Sequence, residues 1–325
     1  MMMKRTGALL LLTLFTLAAS AQRHAHHREF QSESANCFNP SDPDELRLWP
    51  GTAPGAQSDD PCRDIPYLKV YRAAPANPSG QAIIVIPGGG YDRLTDTKEQ
   101  EPVAQYFAQQ LGVTTFVLYY RLVQPDGTYR YPVPMWDAQR AIRLVRSRAT
   151  AYGIAPSRIG LFGFSAGGHL ATTITLHAGF NFNLPAHDAI DRLSAQPNLL
   201  GLGYPVISMD PSQFAAKSSH DHLLFGYTGS ELDHLQTFLS GQSNITPNTP
   251  PVFLFESFDD QRISPQNSVQ FVEAIKQAGL PIDAHLFQHG VHGAGLATGI
   301  PEESAWPTFF ATWLRHREQG DPAPH

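Results

Sequence analysis

The chain has 325 residues, 42% hydrophobic and only 16% charged, enough apolar material for one sizeable core in one domain. Its net charge of −6 and pI near 6.1 come without any run of Lys or Arg, which excludes a surface built to attract nucleic acid or anionic membranes. A soluble protein acting on small or neutral molecules is the expectation.

The N-terminus reads as an address. Lys4 and Arg5 precede an apolar run over residues 8–19, and Ala19-Ser20-Ala21 supplies the small residues a signal peptidase needs. Residues 1–21 are therefore predicted to be a secretory signal cleaved before Gln22, giving a secreted or periplasmic protein with no membrane contact after cleavage. The apolar run falls short of the roughly 20 residues of a membrane span. His24, His26 and His27 follow on a polar segment with no fixed geometry, which reads as a tail and not a metal site. An oxidising compartment lets Cys37 pair with Cys62, a loop closure that contributes on the order of 3 kcal/mol. Residues 22–64 are thus a tail and a disulfide-stapled lead-in.

From residue 65 to 317 strands alternate with helices, the pattern of an α/β fold with a mostly parallel sheet flanked by helices on both faces. Strands are predicted over 67–72, 82–86, 114–120, 158–164, 199–204, 252–255 and 284–287. The continuous apolar run at 82–86, stopped by Pro87-Gly88-Gly89-Gly90, suits a strand buried on both faces. A helix opening at Pro134 places Ala138, Ala141, Ile142 and Val145 on one face and sends Arg140, Arg143 and Arg146 towards water. Residues 204–250, after the strand at 199–204, turn to Ser, His, Asp, Gln and Asn. They read as a small polar insertion over the sheet with one helix at 230–239. Ser264 is expected to cap a helix with Pro265 in its first turn, and a last helix spans 307–317, leaving 318–325 as a tail.

Gly163-Phe164-Ser165-Ala166-Gly167 fits a nucleophile elbow, a tight strand-to-helix turn that raises a serine hydroxyl above the sheet. The five residues alone are a weak signal; their place between an apolar strand and a small-residue helix strengthens it. A serine needs a base, and His292 lies in a glycine-rich loop after the last strand, with His289 as its neighbouring rival. The imidazole in turn needs a carboxylate. Asp260 is favoured, three residues before the apolar Ile263, while Asp259 and Glu256 are alternatives expected to be solvated loop charges. Gly89 or Gly90, with the amide of Ala166, would meet the oxyanion. The triglycine lacks the spacing of a phosphate-binding loop.

Pro87-Gly88-Gly89-Gly90-Tyr91, Glu101-Pro102-Val103-Ala104, Leu118-Tyr119-Tyr120-Arg121, Asp137-Ala138-Gln139-Arg140-Ala141 and Gly163-Phe164-Ser165-Ala166-Gly167-Gly168-His169-Leu170-Ala171 together resemble the acetylxylan esterase-type branch of bacterial α/β-hydrolases, which includes bifunctional feruloyl and acetylxylan esterase domains. The resemblance covers about residues 65–317. It implies an α/β-hydrolase fold, a serine carboxylesterase with Ser165 as nucleophile, His292 as base and Asp260 as acid, and oxyanion donors near Gly89, Gly90 and Ala166. It implies no cofactor and no metal, and an acylated carbohydrate as substrate. The chain departs from the branch where His-Gly usually precedes the acid, having Glu256-Ser257, and where Val-Pro usually follows, having Ile263-Ser264.

Three further sites invite a functional reading. Tyr91 could stack on a sugar ring or equally be a plain loop tyrosine; His169, one turn beyond Ser165, suits a packed helix histidine; His220-Asp221-His222 suits a polar surface loop better than a metal site. Arg121 and Asp137 are expected to pair in the interior. The competing functions are a peptidase of prolyl-oligopeptidase type, for whose usual propeller the chain has no room, and a non-catalytic binding protein on the same scaffold.

Overall fold

The computed structural model describes residues 36–318 except 75, 77, 96, 97, 186 and 187. The predicted signal over 1–21, the cleavage before Gln22, the histidines at 24, 26 and 27 and the tail from 319 lie outside the described residues.

One sheet organises the described chain. Its strands are β1 Glu45–Arg47, β2 Tyr67–Tyr71, β3 Ala82–Ile86, β4 Thr114–Tyr119, β5 Ile159–Phe164, β6 Leu200–Gly203, β7 Val252–Ser257 and β8 Ile282–Phe287. They run in the order β1-β2-β4-β3-β5-β6-β7-β8. β1 and β2 are antiparallel to their neighbours, and β3 through β8 are parallel. This is the α/β-hydrolase fold. β3, β4 and β5 are buried along their whole length, as strands covered on both faces must be, which explains the unbroken apolar sequence of β3.

Helices α1 Glu101–Gln110 and α7 Trp306–Glu318 cover one face. Phe107 of α1 packs 5.4 Å from Phe162 of β5 and 5.1 Å from Phe310 of α7, and Trp306 stacks on Phe255 of β7 at 4.6 Å. Fully burying each such ring contributes about 1.5–3 kcal/mol. The other face carries α2 Val133–Ser147, α3 Ser165–Leu176 and α6 Gln266–Gln277. The insertion after β6 adds α4 Lys217–Leu223 and α5 Gly229–Phe238; α5 matches the expected helix, whereas the short polar α4 and the three-residue β1 carry too little periodicity to be read from sequence.

Three expectations are corrected. Arg140 and Arg143 are buried, not turned to water: Arg140 holds Asp188 through two bonds of 2.6 and 2.7 Å, accompanied by Asp191 at 3.0 Å, while Arg143 donates to the carbonyl of Leu193. Arg146 donates to the carbonyls of Pro156 and Gln196. The segment around Ile190–Arg192 packs over α2 and supplies these acceptors apart from Pro156, a tertiary contact that helical spacing does not encode. Second, α6 starts one residue later than expected, with Pro265 at its cap position, although Ser264 Oγ still accepts the Gln266 N–H at 3.4 Å. Third, Glu256 is no solvated loop charge; it is 1% exposed and bonded to Ser268 Oγ and the Ser257 N–H.

Arg121 and Asp137 form a wholly buried pair at 2.6 Å, with Asp137 also accepting the Arg121 backbone N–H. It ties the end of β4 to α2. A disulfide joins Cys37 to Cys62, across a sequence separation of 25. No helix among the described residues is long and apolar enough to cross a membrane.

Candidate active site

Because β3 and β5–β8 are parallel, the loops after them emerge at one edge of the sheet, and that edge gathers the candidate residues. β3 delivers Gly88–Gly90, β5 delivers Ser165, β6 delivers Tyr204, β7 delivers Asp260 and β8 delivers His292.

Ser165 occupies the sharp turn from β5 into α3 with φ of +51°, a strained value for a non-glycine residue. The flanking glycines are required by close backbone approach. A Cβ at Gly163 would lie 2.4 Å from the Gly167 carbonyl oxygen, and one at Gly167 would lie 2.1 Å from that of Ile86. The elbow is therefore locked between its own helix and the end of β3.

His292 Nε2 lies 2.9 Å from Ser165 Oγ, and its Nδ1 lies 2.7 Å from Asp260 Oδ2. An ionised carboxylate only accepts, so Nδ1 carries the proton and Nε2 is left to accept from the serine hydroxyl. The structure thus brings Ser165, His292 and Asp260 into one hydrogen-bonded chain. His289 instead pairs with Asp259 at 3.1 Å on an exposed surface, its side chain 63% accessible.

The histidine loop hangs from carboxylates. Glu302 accepts the N–H groups of Gln288 and His289, Asp259 that of Gly290, and Glu303 that of Val291. Burial pushes Glu256 up to about 8 and Glu303 up to about 7, with the charge of Asp260 adding to the rise in both. Both sit behind Asp260 as acids that hold a proton more readily than usual.

Gly89 and Gly90 have φ of +119° and +67°, and a Cβ at Gly89 would lie 2.3 Å from the Arg93 carbonyl oxygen. The loop can adopt this path only with glycine. Ala166 is the second residue of α3, wholly buried beside Ser165.

Tyr91 is corrected. Its ring is wholly buried and its hydroxyl donates to His169 Nδ1 at 2.6 Å, so it presents no face to a sugar. His169 is the packed helix histidine expected, its Nε2 donating to the Leu239 carbonyl at 2.8 Å. His220 bonds Asp221, and His222 donates to the Gly90 carbonyl at 2.9 Å. Among the described residues no group of three His, Cys, Asp or Glu side chains could hold a metal ion.

Two residues at this edge had no sequence signal. Glu99 is wholly buried and accepts the Gly88 N–H at 2.8 Å and the Tyr204 hydroxyl at 3.0 Å. Tyr204, equally buried, lies with its ring 4.9 Å from that of His292. Burial pushes the Glu99 carboxyl up, against the opposing effect of its donors.

Residues 68–275 match the BD-FAE family model, which is more than half of the chain. The chain belongs to the BD-FAE family. It is 31% identical to an acetylxylan esterase of Xylanibacter ruminicola over 75% of this chain and 44% of that protein. It is 28% identical to endo-1,4-β-xylanase B of Butyrivibrio fibrisolvens over 71% of this chain and 34% of that one. The chain therefore spans less than half the length of these two relatives. Among solved structures it resembles an acetyl ester-xyloside bifunctional hydrolase from Caldicellulosiruptor lactoaceticus, with a TM-score of 0.72 and 36% identity over 83% of this chain and 95% of that one. It also resembles the carboxylesterase Cest-2923 of Lactobacillus plantarum, with a TM-score of 0.62 and 25% identity over 85% and 98% of the two chains.

Proposed function

We propose that this BD-FAE protein is an exported serine carboxylesterase that removes acetyl or other short acyl groups from polysaccharide or oligosaccharide. The observation that carries the reading is the unbroken path from Ser165 Oγ through His292 to Asp260, at 2.9 and 2.7 Å, on a strained serine elbow. Spacings of this kind suit proton transfer without rearrangement.

In this mechanism Ser165 Oγ attacks the acyl carbon as His292 Nε2 takes its proton. Backbone N–H groups of Gly89 or Gly90 and Ala166 hold the oxyanion that forms. The imidazolium, steadied by Asp260, then gives its proton to the departing sugar oxygen. A water molecule then attacks the acyl carbon as it loses a proton to His292, and His292 returns that proton to Ser165 Oγ as the acyl–Oγ bond breaks and the acid leaves. No step needs a cofactor or a metal. The acyl-carbohydrate substrate draws support from the names of the acetylxylan esterase and the acetyl ester-xyloside hydrolase that the chain resembles. Export draws support from the Lys4-Arg5 and apolar N-terminus together with the Cys37–Cys62 bond.

The test is labelling with a serine-reactive organophosphate followed by peptide mass spectrometry, alongside acid release from acylated xylan, pectin and monosaccharide acetates. Stoichiometric label on Ser165 and release from at least one carbohydrate ester is the expected result. An inert Ser165 would favour the binding-protein reading.

A further inference from the structure

Neither the elbow nor the Ser165–His292–Asp260 chain accounts for Glu99. It precedes the cap of α1 at Gln100 and has no access to solvent. A carboxylate so placed is unfavourable unless donors meet its oxygens, and both are met. Oε2 accepts the Gly88 N–H at 2.8 Å and Oε1 accepts the Tyr204 hydroxyl at 3.0 Å.

Each bond leads to a different part of the site. Gly88 opens the glycine loop, and its carbonyl is held in turn by the Thr95 N–H at 2.9 Å. There is no slack at this point, since a Cβ on Gly88 would lie 2.7 Å from Ser165 Cβ and 3.2 Å from Glu99 Oε2. On the other side, the Tyr204 hydroxyl accepts the Gly295 N–H at 2.9 Å while its ring packs against His292. The Gly295 carbonyl accepts from Trp306 Nε1 at 2.9 Å. A Cβ on Gly295 would lie 2.2 Å from the carbonyl oxygen of Lys98, so the histidine loop abuts the residue beside Glu99.

We infer that Glu99 is a positioning residue that fixes, through Gly88 and Tyr204, the spacing between the oxyanion-binding glycine loop and the His292 loop; the inference rests on the serine-esterase reading above. The oxyanion and the imidazolium develop in the same step on either side of the acyl carbon. Two loops held as one unit need no rearrangement when those charges appear. A carboxylate can accept from both loops at once. Glutamine can accept from Gly88 and donate to the Tyr204 oxygen, whereas leucine fills the space and joins nothing.

The test is hydrolysis of p-nitrophenyl acetate, with kcat expressed per active site titrated by an organophosphate. Glu99→Leu is expected to lower kcat by about 10²-fold, the scale of losing one oxyanion donor, with little change in KM. Glu99→Gln is expected to stay within about tenfold of wild-type kcat, since it keeps both links. A trifluoromethyl ketone, which binds serine as an oxyanion, should weaken in step with kcat across the series. Wild-type kcat per titrated site in Glu99→Leu would overturn the inference, as would a Glu99→Gln variant as damaged as Glu99→Leu. If Glu99→Leu does not fold, Tyr204→Phe carries the test by deleting only the hydroxyl between Glu99 and Gly295. A tenfold or so fall in its kcat at wild-type KM supports the link, and unchanged kcat refutes it. Wild-type protein that neither takes the label nor cleaves the ester would instead overturn the serine-esterase reading, and this inference with it, before any variant is compared.

Discussion

Asp260 divides its two oxygens between two tasks: Oδ2 faces His292 Nδ1 at 2.7 Å, while Oδ1 accepts the N–H groups of Arg262 at 2.7 Å and Ile263 at 2.9 Å. The second task fixes the carboxylate plane, so the first oxygen arrives already aimed. It also gives a physical reason for the three-residue spacing between Asp260 and Ile263.

Asp260→Asn turns an amide NH₂ towards one of these two donor sets, whichever way it is flipped. We expect kcat to fall by about 10²–10⁴-fold, with His292→Ala at least as severe. Asp259→Asn should leave most activity, because Asp259 serves His289 and Gly290. Steady-state kinetics of the three variants checks this; a larger loss in Asp259→Asn than in Asp260→Asn would reassign the acid.

Much of this was legible in the sequence because local chemistry demanded it. The buried strand at 82–86 had to be an unbroken apolar run, and the elbow had to be Gly-x-Ser-x-Gly because Gly163 and Gly167 touch backbone. What was not legible depends on partners far along the chain. The burial of Tyr91 is hidden because nothing near it in sequence announces His169, 78 residues on. Arg140 reads as solvent-facing because its acceptor Asp188 lies 48 residues away. Glu99 carries no signal at all and Glu256 reads as a loop charge, since burial of a carboxylate leaves no mark on its neighbours in sequence.

Acyl length separates this reading from a lipolytic one. The insertion over 204–250 exposes only Phe214 and Phe225 as large apolar side chains, and two rings do not make a fat-binding face. We expect kcat/KM for p-nitrophenyl acetate to exceed that for the octanoate by at least about tenfold, or 1.4 kcal/mol. Faster cleavage of the octanoate would point to a lipase.

The Cys37–Cys62 bond fastens the segment before β2. Replacing both cysteines with serine should lower unfolding free energy by about 2–4 kcal/mol without altering kcat, because the bond constrains the unfolded chain and lies outside the site. Urea unfolding with and without reductant measures it. Two alkylatable thiols in native exported protein would reject the bond.

Burial holds His169 down to about 4, from its ordinary 6.5, with the Leu239 carbonyl bond opposing the fall. The folded value lies below the unfolded one, so the unfolded chain takes up the proton first as pH drops. Stability is therefore lost as pH falls below about 6.5, and the loss levels off near 4 at about 3 kcal/mol. His169→Gln removes this contribution. The stability gap between wild type and variant should narrow by about 2–3 kcal/mol between pH 7.5 and 4.5. A gap of the same size at both pH values would contradict the assignment.

The most direct measurement is acetate released from acetylated xylo-oligosaccharide by the wild-type protein and by Ser165→Ala, each shown to be folded by the same melting temperature. Loss of the small hydroxyl leaves almost no cavity, so the fold should be unaffected. The account predicts steady release by wild type and a fall of about 10³-fold or more in kcat for Ser165→Ala. Release by Ser165→Ala at the wild-type rate would remove Ser165 from the mechanism, and no release by either protein would contradict the assignment of an acylated carbohydrate as substrate.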